Sequence, residues 1–375
     1  MSGIYIHIPY CHKACNYCNF HFSTSLKDID EMIKSICLEL KAKKNYLGGQ
    51  IVNTIYFGGG TPSLLSKEQL SEIFQSVQSY YFLSKSVEIT LEANPEDITA
   101  DTLSSWKCLG INRLSIGIQS FQNHYLQWMN RNHTSEDALK SVALAKQYGF
   151  DNISIDLIYG LPNLDAVQWQ KEINTAVHLN VQHISTYCLT IEEKTALGNS
   201  VAKGAIQLDT EETIEQQMLI LMDTMKDAGY EQYEISNFCK PDFESKHNSS
   251  YWKRIPYIGV GPGAHSYDGE SRQYNITNNP LYIKYLNQPL LGSVSTTEQL
   301  SESDAYNEYI LTRLRTKWGI EIHEIEAFDP INLSQIKHLL NSFCQNGFMT
   351  LDANVYKLTT KGKLLADEIT LQLMV

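Results

Sequence analysis

The stretch Tyr5-Ile-His-Ile-Pro-Tyr-Cys-His-Lys-Ala-Cys-Asn-Tyr-Cys-Asn-Phe20 decides how the rest of the chain is read. Its first half alternates and reads as a strand from Ile4 to Ile8. Its second half places Cys11, Cys15 and Cys18 in a C-x3-C-x2-C loop directly after that strand. Barrel enzymes keep their chemistry on loops at the carboxyl ends of strands. Four-iron clusters normally take four cysteines, so three thiolates leave one iron with an open position for a small molecule. The competing metal is zinc, which needs four ligands. His12 or His21 would complete a Cys3His set, but no second C-x-x-C follows. Cys37, Cys108, Cys188, Cys239 and Cys344 are scattered and are expected as small core residues, not as disulfides.

Outward from that stretch, strand-like runs recur at Thr54 to Phe57, Val87 to Leu91, Arg113 to Ile118, Ile153 to Ile158 and His183 to Leu189, each followed by a turn and a helix-period segment. Six strand-helix units imply a parallel sheet. Gly110 and Gly149 stand where helices should end. Polar residues fall after almost every strand instead of at one switch point, which favours an incomplete (β/α)6 barrel of the TIM type over a doubly wound sheet. The expected class is therefore α/β, with a barrel core over residues 1–232. An aromatic-rich connection without clear periodicity spans 233–300, and a mainly helical, winged-helix-like domain spans 301–375.

Bulk composition restricts the function classes. A length of 375 residues suits one large core with a smaller appended unit. The net charge of -12 opposes a broad nucleic-acid surface, and the short Lys41-Ala-Lys-Lys44 run reads as a solvated helix face. The candidate recognition helix of the last domain, Ser334 to Asn346, carries only Lys337 and His338 as basic residues, so it is expected to pack or to act as a lid. Residues 1 to 20 lack a basic segment followed by a long apolar one, and no apolar run reaches spanning length. A cytoplasmic, reducing setting is expected.

The remaining motifs sit at strand ends. Gly58-Gly-Gly-Thr-Pro62 follows the second strand without the Gly-Lys-Ser/Thr of a Walker loop, and three successive glycines suggest close approach of backbone to a ligand. Glu92 ends the third strand, Gln119 the fourth with Arg131 downstream, and Asp156 lies in the fifth. Each alone is most often a structural ion pair or turn acceptor. Together they suit a zwitterionic nucleoside: a guanidinium for a carboxylate, a Glu for an ammonium, and Asp with Gln for ribose hydroxyls.

These motifs, in this order, resemble the radical S-adenosylmethionine (SAM) superfamily. Tyr5-Ile-His-Ile-Pro-Tyr-Cys11 and Ile155-Asp-Leu-Ile-Tyr-Gly-Leu-Pro162 resemble, more narrowly, the oxygen-independent coproporphyrinogen III oxidase group. The resemblance implies a [4Fe-4S] cluster on Cys11, Cys15 and Cys18, and a SAM site lined by Tyr5, Gly59, Gly60, Thr61, Glu92, Gln119, Arg131 and Asp156. Two departures separate the chain from the oxidase itself. Phe20 stands where the oxidase has a fourth cysteine, and Tyr5 lies almost at the terminus where the oxidase has an extension. Both match the HemW-type haem-chaperone branch.

His247-Asn-Ser-Ser-Tyr-Trp252 resembles that branch's H-N-x-x-Y-W motif. An imidazole can ligate haem iron, so His247 is the candidate haem ligand and His265 a second one; the alternative is that His247 only hydrogen-bonds within the connection. The resemblance implies haem as cargo, handed to respiratory haem proteins at the membrane surface, with a homodimer compatible. Porphyrinogen oxidation is the enzymatic alternative, and RNA chemistry a third that the charge opposes.

Overall fold

The computed structural model of the protein describes residues 2–328 and 333–375. Six parallel strands, β1 (Ser2–Ile8), β2 (Val52–Gly59), β3 (Leu83–Ala93), β4 (Arg113–Gln119), β5 (Ile153–Tyr159) and β6 (His183–Cys188), lie side by side in sequence order. Between them run α1 (Ile29–Ala42), α2 (Lys67–Tyr80), α3 (Ala100–Cys108), the pair α4 (Asn123–Trp128) and α5 (Ser135–Gln147), and α6 (Ala166–His178). After β6 follow α7 (Ala196–Ala202) and α8 (Glu211–Asp227).

The helices start where local chemistry predicts. Capping boxes pair Ser66 with Gln69 at α2, Thr99 with Thr102 at α3, Thr134 with Asp137 at α5 and Asp165 with Gln168 at α6. Gly110 and Gly149 end α3 and α5 with φ of +86° and +78°. Outward-pointing strand residues such as Ile4, Ile6, Phe57, Leu91, Ile116 and Ile155 are fully buried against the helical layer, which contributes Trp106 and Trp169.

Residues 233–300, without periodicity in sequence, extend this sheet at both ends. Beyond β6 lie β8 (Asn237–Cys239) and then β7 (Glu231–Glu234), both antiparallel. Before β1 lie β9 (Tyr257–Val260), parallel to β1, and the antiparallel β10 (His265–Tyr267), β11 (Ser271–Asn275) and β12 (Ser295–Gln299). Two helices accompany them, α9 (Lys246–Trp252) and α10 (Asn279–Asn287). The chain thus crosses from one end of a twelve-stranded sheet to the other through α9, which carries the His247 motif and packs on β1 and β2.

The last unit is α11 (Glu302–Leu314), β13 (Ile320–Glu321), α12 (Ile322–Phe328), α13 (Leu333–Gln345), β14 (Met349–Asp352), β15 (Val355–Leu358), α14 (Thr360–Leu364) and α15 (Ala366–Leu373). The antiparallel order β13-β15-β14 backs α11, α13 and α15 over a separate apolar cluster that includes Tyr309, Ile310, Leu340 and Ile369. This is the expected winged-helix-like arrangement, and the candidate recognition helix is α13. Lys317 joins it to the barrel, 3.0 Å from Glu231 and 2.6 Å from Glu244. No helix among the described residues is long and apolar enough to cross a membrane.

Candidate functional site

The β1 register makes Tyr5 the neighbour of Tyr56 and His7 that of Gly58. Because side chains alternate along a strand, the sheet face opposite the helices carries Tyr5 and His7, Thr54 and Tyr56, Glu88 and Glu92, Arg113 and Ser115, Asp156, and His183 with Ser185. The barrel lumen is therefore polar on all six strands, whereas a closed TIM barrel fills its lumen with branched apolar residues.

The cysteine loop caps this lumen at the carboxyl ends. Its base is tied by Cys11 N–H donating to the Ser23 carbonyl (3.0 Å) and Ser23 N–H donating to the Pro9 carbonyl (2.9 Å). Its far side is pinned to the end of α4, where Asn16 Nδ2 donates to the Trp128 carbonyl (2.6 Å) and Asn130 Nδ2 to the Ala14 carbonyl (2.7 Å). Burial pushes the Cys11 thiol up to about 11 and raises Cys18; the contact of Cys11 with the Thr61 hydroxyl opposes this, and the neighbouring cysteines add to it. The thiols are thus close enough to influence one another, and metal binding must displace their protons. Among the described residues no three Cys, His, Asp or Glu side chains already stand in a metal-ligand arrangement.

Arg131 links this loop to the strands. It donates through Nη1 to Cys15 Sγ (3.5 Å), and through Nη2 to Asn94 Oδ1 (2.7 Å) and the Gly117 carbonyl (2.8 Å); its buried Nε has no partner among the described residues. Gln119, beside it on β4, holds φ at +72° where the β4–β5 register shifts. A left-handed backbone at a glutamine stores strain, of the kind that collects at functional sites.

The glycine loop is shaped by the protein's own atoms. A Cβ on Gly58 would meet Tyr56, Glu92 and Tyr5 at 2.9–3.1 Å. One on Gly59 (φ +105°) would meet the His7 ring at 2.5 Å, and one on Gly60 the Tyr10 carbonyl at 2.4 Å. The N–H groups of Gly60 and Thr61 donate to the Ile8 and Tyr10 carbonyls, and that of Gly59 serves Glu92. The N–H groups of Gly59, Gly60 and Thr61 are thus already engaged, leaving the carbonyls of the loop and the Thr61 hydroxyl for a ligand.

Beneath the loop, Glu92 accepts from the Tyr56 hydroxyl (2.7 Å). Burial pushes its carboxyl up to about 7; the Tyr56 hydrogen bond opposes this and Asp156 adds to it. Asp156 itself rises to about 6 by burial, against the Ser185 hydrogen bond and the charges of Arg113 and Arg131. Two upshifted carboxyls facing one lumen mark a functional-site candidate. The Tyr5 hydroxyl meets His7 Nδ1 at 3.0 Å, and His7 Nε2 lies 3.0 Å from the His21 carbonyl; burial lowers His7 to about 4, so the ring is neutral.

The structure gathers the cysteines, Thr61, Arg131 and Gln119 at the rim, with Tyr5, Glu92 and Asp156 just below. His247 lies elsewhere, under Tyr5 and Tyr56 at the opposite end of the lumen. It is 2% exposed, with Nδ1 2.8 Å from Thr54 Oγ1 and Nε2 2.7 Å from the Tyr251 hydroxyl. His265 is exposed on β10. Sequence reasoning missed Asn94, His7, Tyr56, Glu88 and Arg113; the alternation of the strands was the signal that would have found the last four.

Three soft donors on one loop, a buried guanidinium with an unpartnered Nε and a carboxyl poised near neutrality fit an iron-sulfur cluster beside an amino-acid-bearing ligand. Residues 5–189 match the radical SAM superfamily. Over its length the chain is 34% identical to the heme chaperone HemW of Bacillus subtilis, covering 98% of each chain, and 30% identical to that of Mycobacterium tuberculosis, covering 99% and 94%. It is 31% identical to the mitochondrial radical S-adenosyl methionine domain-containing protein 1 of Bos taurus, covering 100% and 87%. The fold is that of the Escherichia coli coproporphyrinogen III oxidase HemN, a solved structure that superposes with a TM-score of 0.85 at 22% identity, over 100% and 90% of the two chains. Matched end to end by such relatives, the chain belongs to the HemW family of the radical SAM superfamily.

Proposed function

We propose that this protein is a cytoplasmic haem chaperone that binds a [4Fe-4S] cluster, SAM and haem, and hands haem to respiratory haem proteins at the membrane surface. The observation that carries this reading is the full-length match to proteins named heme chaperone HemW. Phe20, 67% exposed just past the cysteines, supports it over porphyrinogen oxidation, because the resemblance puts a fourth cysteine there in the oxidase.

In this reading Cys11, Cys15 and Cys18 hold the cluster, which when bound and reduced supplies the electron for cleaving SAM. Arg131 directs its unpartnered Nε at the ligand carboxylate, Glu92 receives the ammonium, and Asp156 with Gln119 takes the ribose hydroxyls. Tyr5 and the Gly59-Gly60-Thr61 backbone wall the site and exclude water. Since burial sets the Glu92 carboxyl at about 7, capture of an ammonium weakens roughly tenfold per pH unit below that value. A histidine that ligates haem must offer a free ring nitrogen. Both ring nitrogens of His247 are engaged, whereas His265 is an exposed residue on β10, and we take His265 as the better candidate.

The test is anaerobic reconstitution with iron and sulfide, then haem titration and assay of coproporphyrinogen III decarboxylation on the same preparation. Stoichiometric haem binding without turnover is the expected result. Sustained decarboxylation overturns the chaperone reading and favours the oxidase.

A further inference from the structure

The His247 motif sits where a ring can govern the strand-end site from below. Its ring stacks on Tyr56 at 5.1 Å and 24°, and on Tyr5 at 6.3 Å and 26°; those two stack on each other at 6.2 Å. The ring is fixed edgewise by Thr54 on Nδ1 and Tyr251 on Nε2, with the Tyr251 ring against it at 5.0 Å and 83°. Its backbone is fixed as well, because Glu88 Oε1 accepts from the N–H groups of Lys246 (3.0 Å) and His247 (3.2 Å). Two glycines make room for the column. A Cβ on Gly3 would press on His247 at 3.3 Å, and one on Gly58 would strike Tyr56 and Tyr5.

We propose that His247 is a positioning residue for the strand-end site: its ring is the floor under Tyr5 and Tyr56, and through Tyr56 it fixes where Glu92 holds its carboxylate. The inference rests on the reading of Glu92 as the ammonium partner of SAM. An unsupported Tyr56 ring can tilt, and the hydroxyl bonded to Glu92 tilts with it. That hydrogen bond holds the Glu92 carboxyl down against burial. Removing the floor therefore raises Glu92 further and shifts ammonium capture to higher pH. The other groups acting on Glu92, namely Asp156 from β5, Arg113 from β4, the Gly59 N–H and Tyr187, stay the same in the variants below, whereas Tyr5 and Tyr251, which also act on it, contact the His247 ring and can shift with it.

Two substitutions separate the ring from its hydrogen bonds. His247→Gln keeps polar partners for Thr54 and Tyr251 but removes the ring; His247→Phe keeps a ring and drops the partners. SAM binding to the reconstituted protein is measured from pH 6 to 9. The Glu92 carboxylic-acid infrared band is titrated in protein without cofactors, identified by its loss in Glu92→Gln. The expected result is a roughly tenfold weaker SAM complex for His247→Gln, with the Glu92 midpoint raised by about one pH unit, as for Tyr56→Phe. The double variant should shift no further. His247→Phe should restore the wild-type midpoint, and haem spectra should be the same in all. An unmoved midpoint in His247→Gln, or additive shifts with Tyr56→Phe, overturns the inference. A haem spectrum changed in both His247 variants makes His247 the ligand and also overturns it. Failure of the wild type to bind SAM, with the infrared shift intact, strikes instead at the proposed function.

Discussion

Replacing Glu92 with glutamine should stabilise the protein at alkaline pH and leave it nearly unchanged at acid pH. Burial raises the Glu92 carboxyl from an ordinary 4.5 to about 7, so between those values the unfolded chain gives up a proton that the folded chain retains. The folded state then binds more protons, and the contribution of Glu92 to stability falls as pH rises from 4.5 to 7 and is flat above. A shift of this size corresponds to about 3 kcal/mol, at 1.36 kcal/mol per unit. In the Glu92→Gln variant the amide does not ionise, and its oxygen can still accept from Tyr56. The stability difference, variant minus wild type, should therefore grow by about 3 kcal/mol between pH 4 and pH 8, while the effects of other titrating groups such as Asp156 largely cancel. Urea unfolding of protein without cofactors, at matched m-values across that range, measures it. A difference that does not change with pH would show that Glu92 ionises freely, and would remove the basis for the pH dependence of ammonium capture.

Three further substitutions test separate parts of the structure. Gly60→Ala drives a Cβ into the Tyr10 and Ile8 carbonyls, backbone that cannot swing aside, and should cost about 1–3 kcal/mol and lower the iron retained after reconstitution; full iron loading at wild-type stability would refute the close approach. Gln119→Gly relieves the φ of +72°, so it should gain up to about 1 kcal/mol in thermal unfolding while weakening SAM binding. Leu340→Ala, in the core of the winged-helix-like unit, should cost about 2–5 kcal/mol there, yet leave iron content per folded barrel unchanged. Proportional loss of iron would mean that the two units unfold together.

The six barrel strands were legible because their outward faces alternate with polar residues in short runs ended by turn signals. Arg113 to Ile118 and Ile153 to Ile158 fall within one residue of β4 and β5. The strands flanking them were not legible. Asn237–Cys239 is three residues long and buried on both faces, so it has no alternation to detect. Between β14 and β15 the turn is Ala353-Asn354, both with positive φ. Alanine there withholds the Asn-Gly or Asp-Gly signal that marks a hairpin in sequence.

The polar site residues found in the sequence stood alone at strand ends, with Asp156 inside β5 the exception; those missed, Asn94 apart, lay inside the strands. Tyr56 passes as apolar in a periodicity reading, as would Tyr5 had the family resemblance not picked it out, and His7, Glu88 and Arg113 look like interruptions of a strand. A buried parallel sheet should read as a near-continuous apolar run, because both of its faces are covered. Here Ile4-Tyr-Ile-His-Ile8 and Val87-Glu-Ile-Thr-Leu-Glu92 alternate instead, and the same pattern appears from Arg113 to Ile118 and from Ser154 to Leu157. In antiparallel proteins such alternation means a solvated face. In a chain whose strands are separated by helices, one face lies against those helices, so the polar face must line the lumen. Burial there makes every uncompensated charge costly, and the upshifted Glu92 and Asp156 are that cost made measurable. Period-two polarity across successive strands of a βα chain is thus evidence of a lumen built for polar chemistry, and it is visible before any motif is recognised.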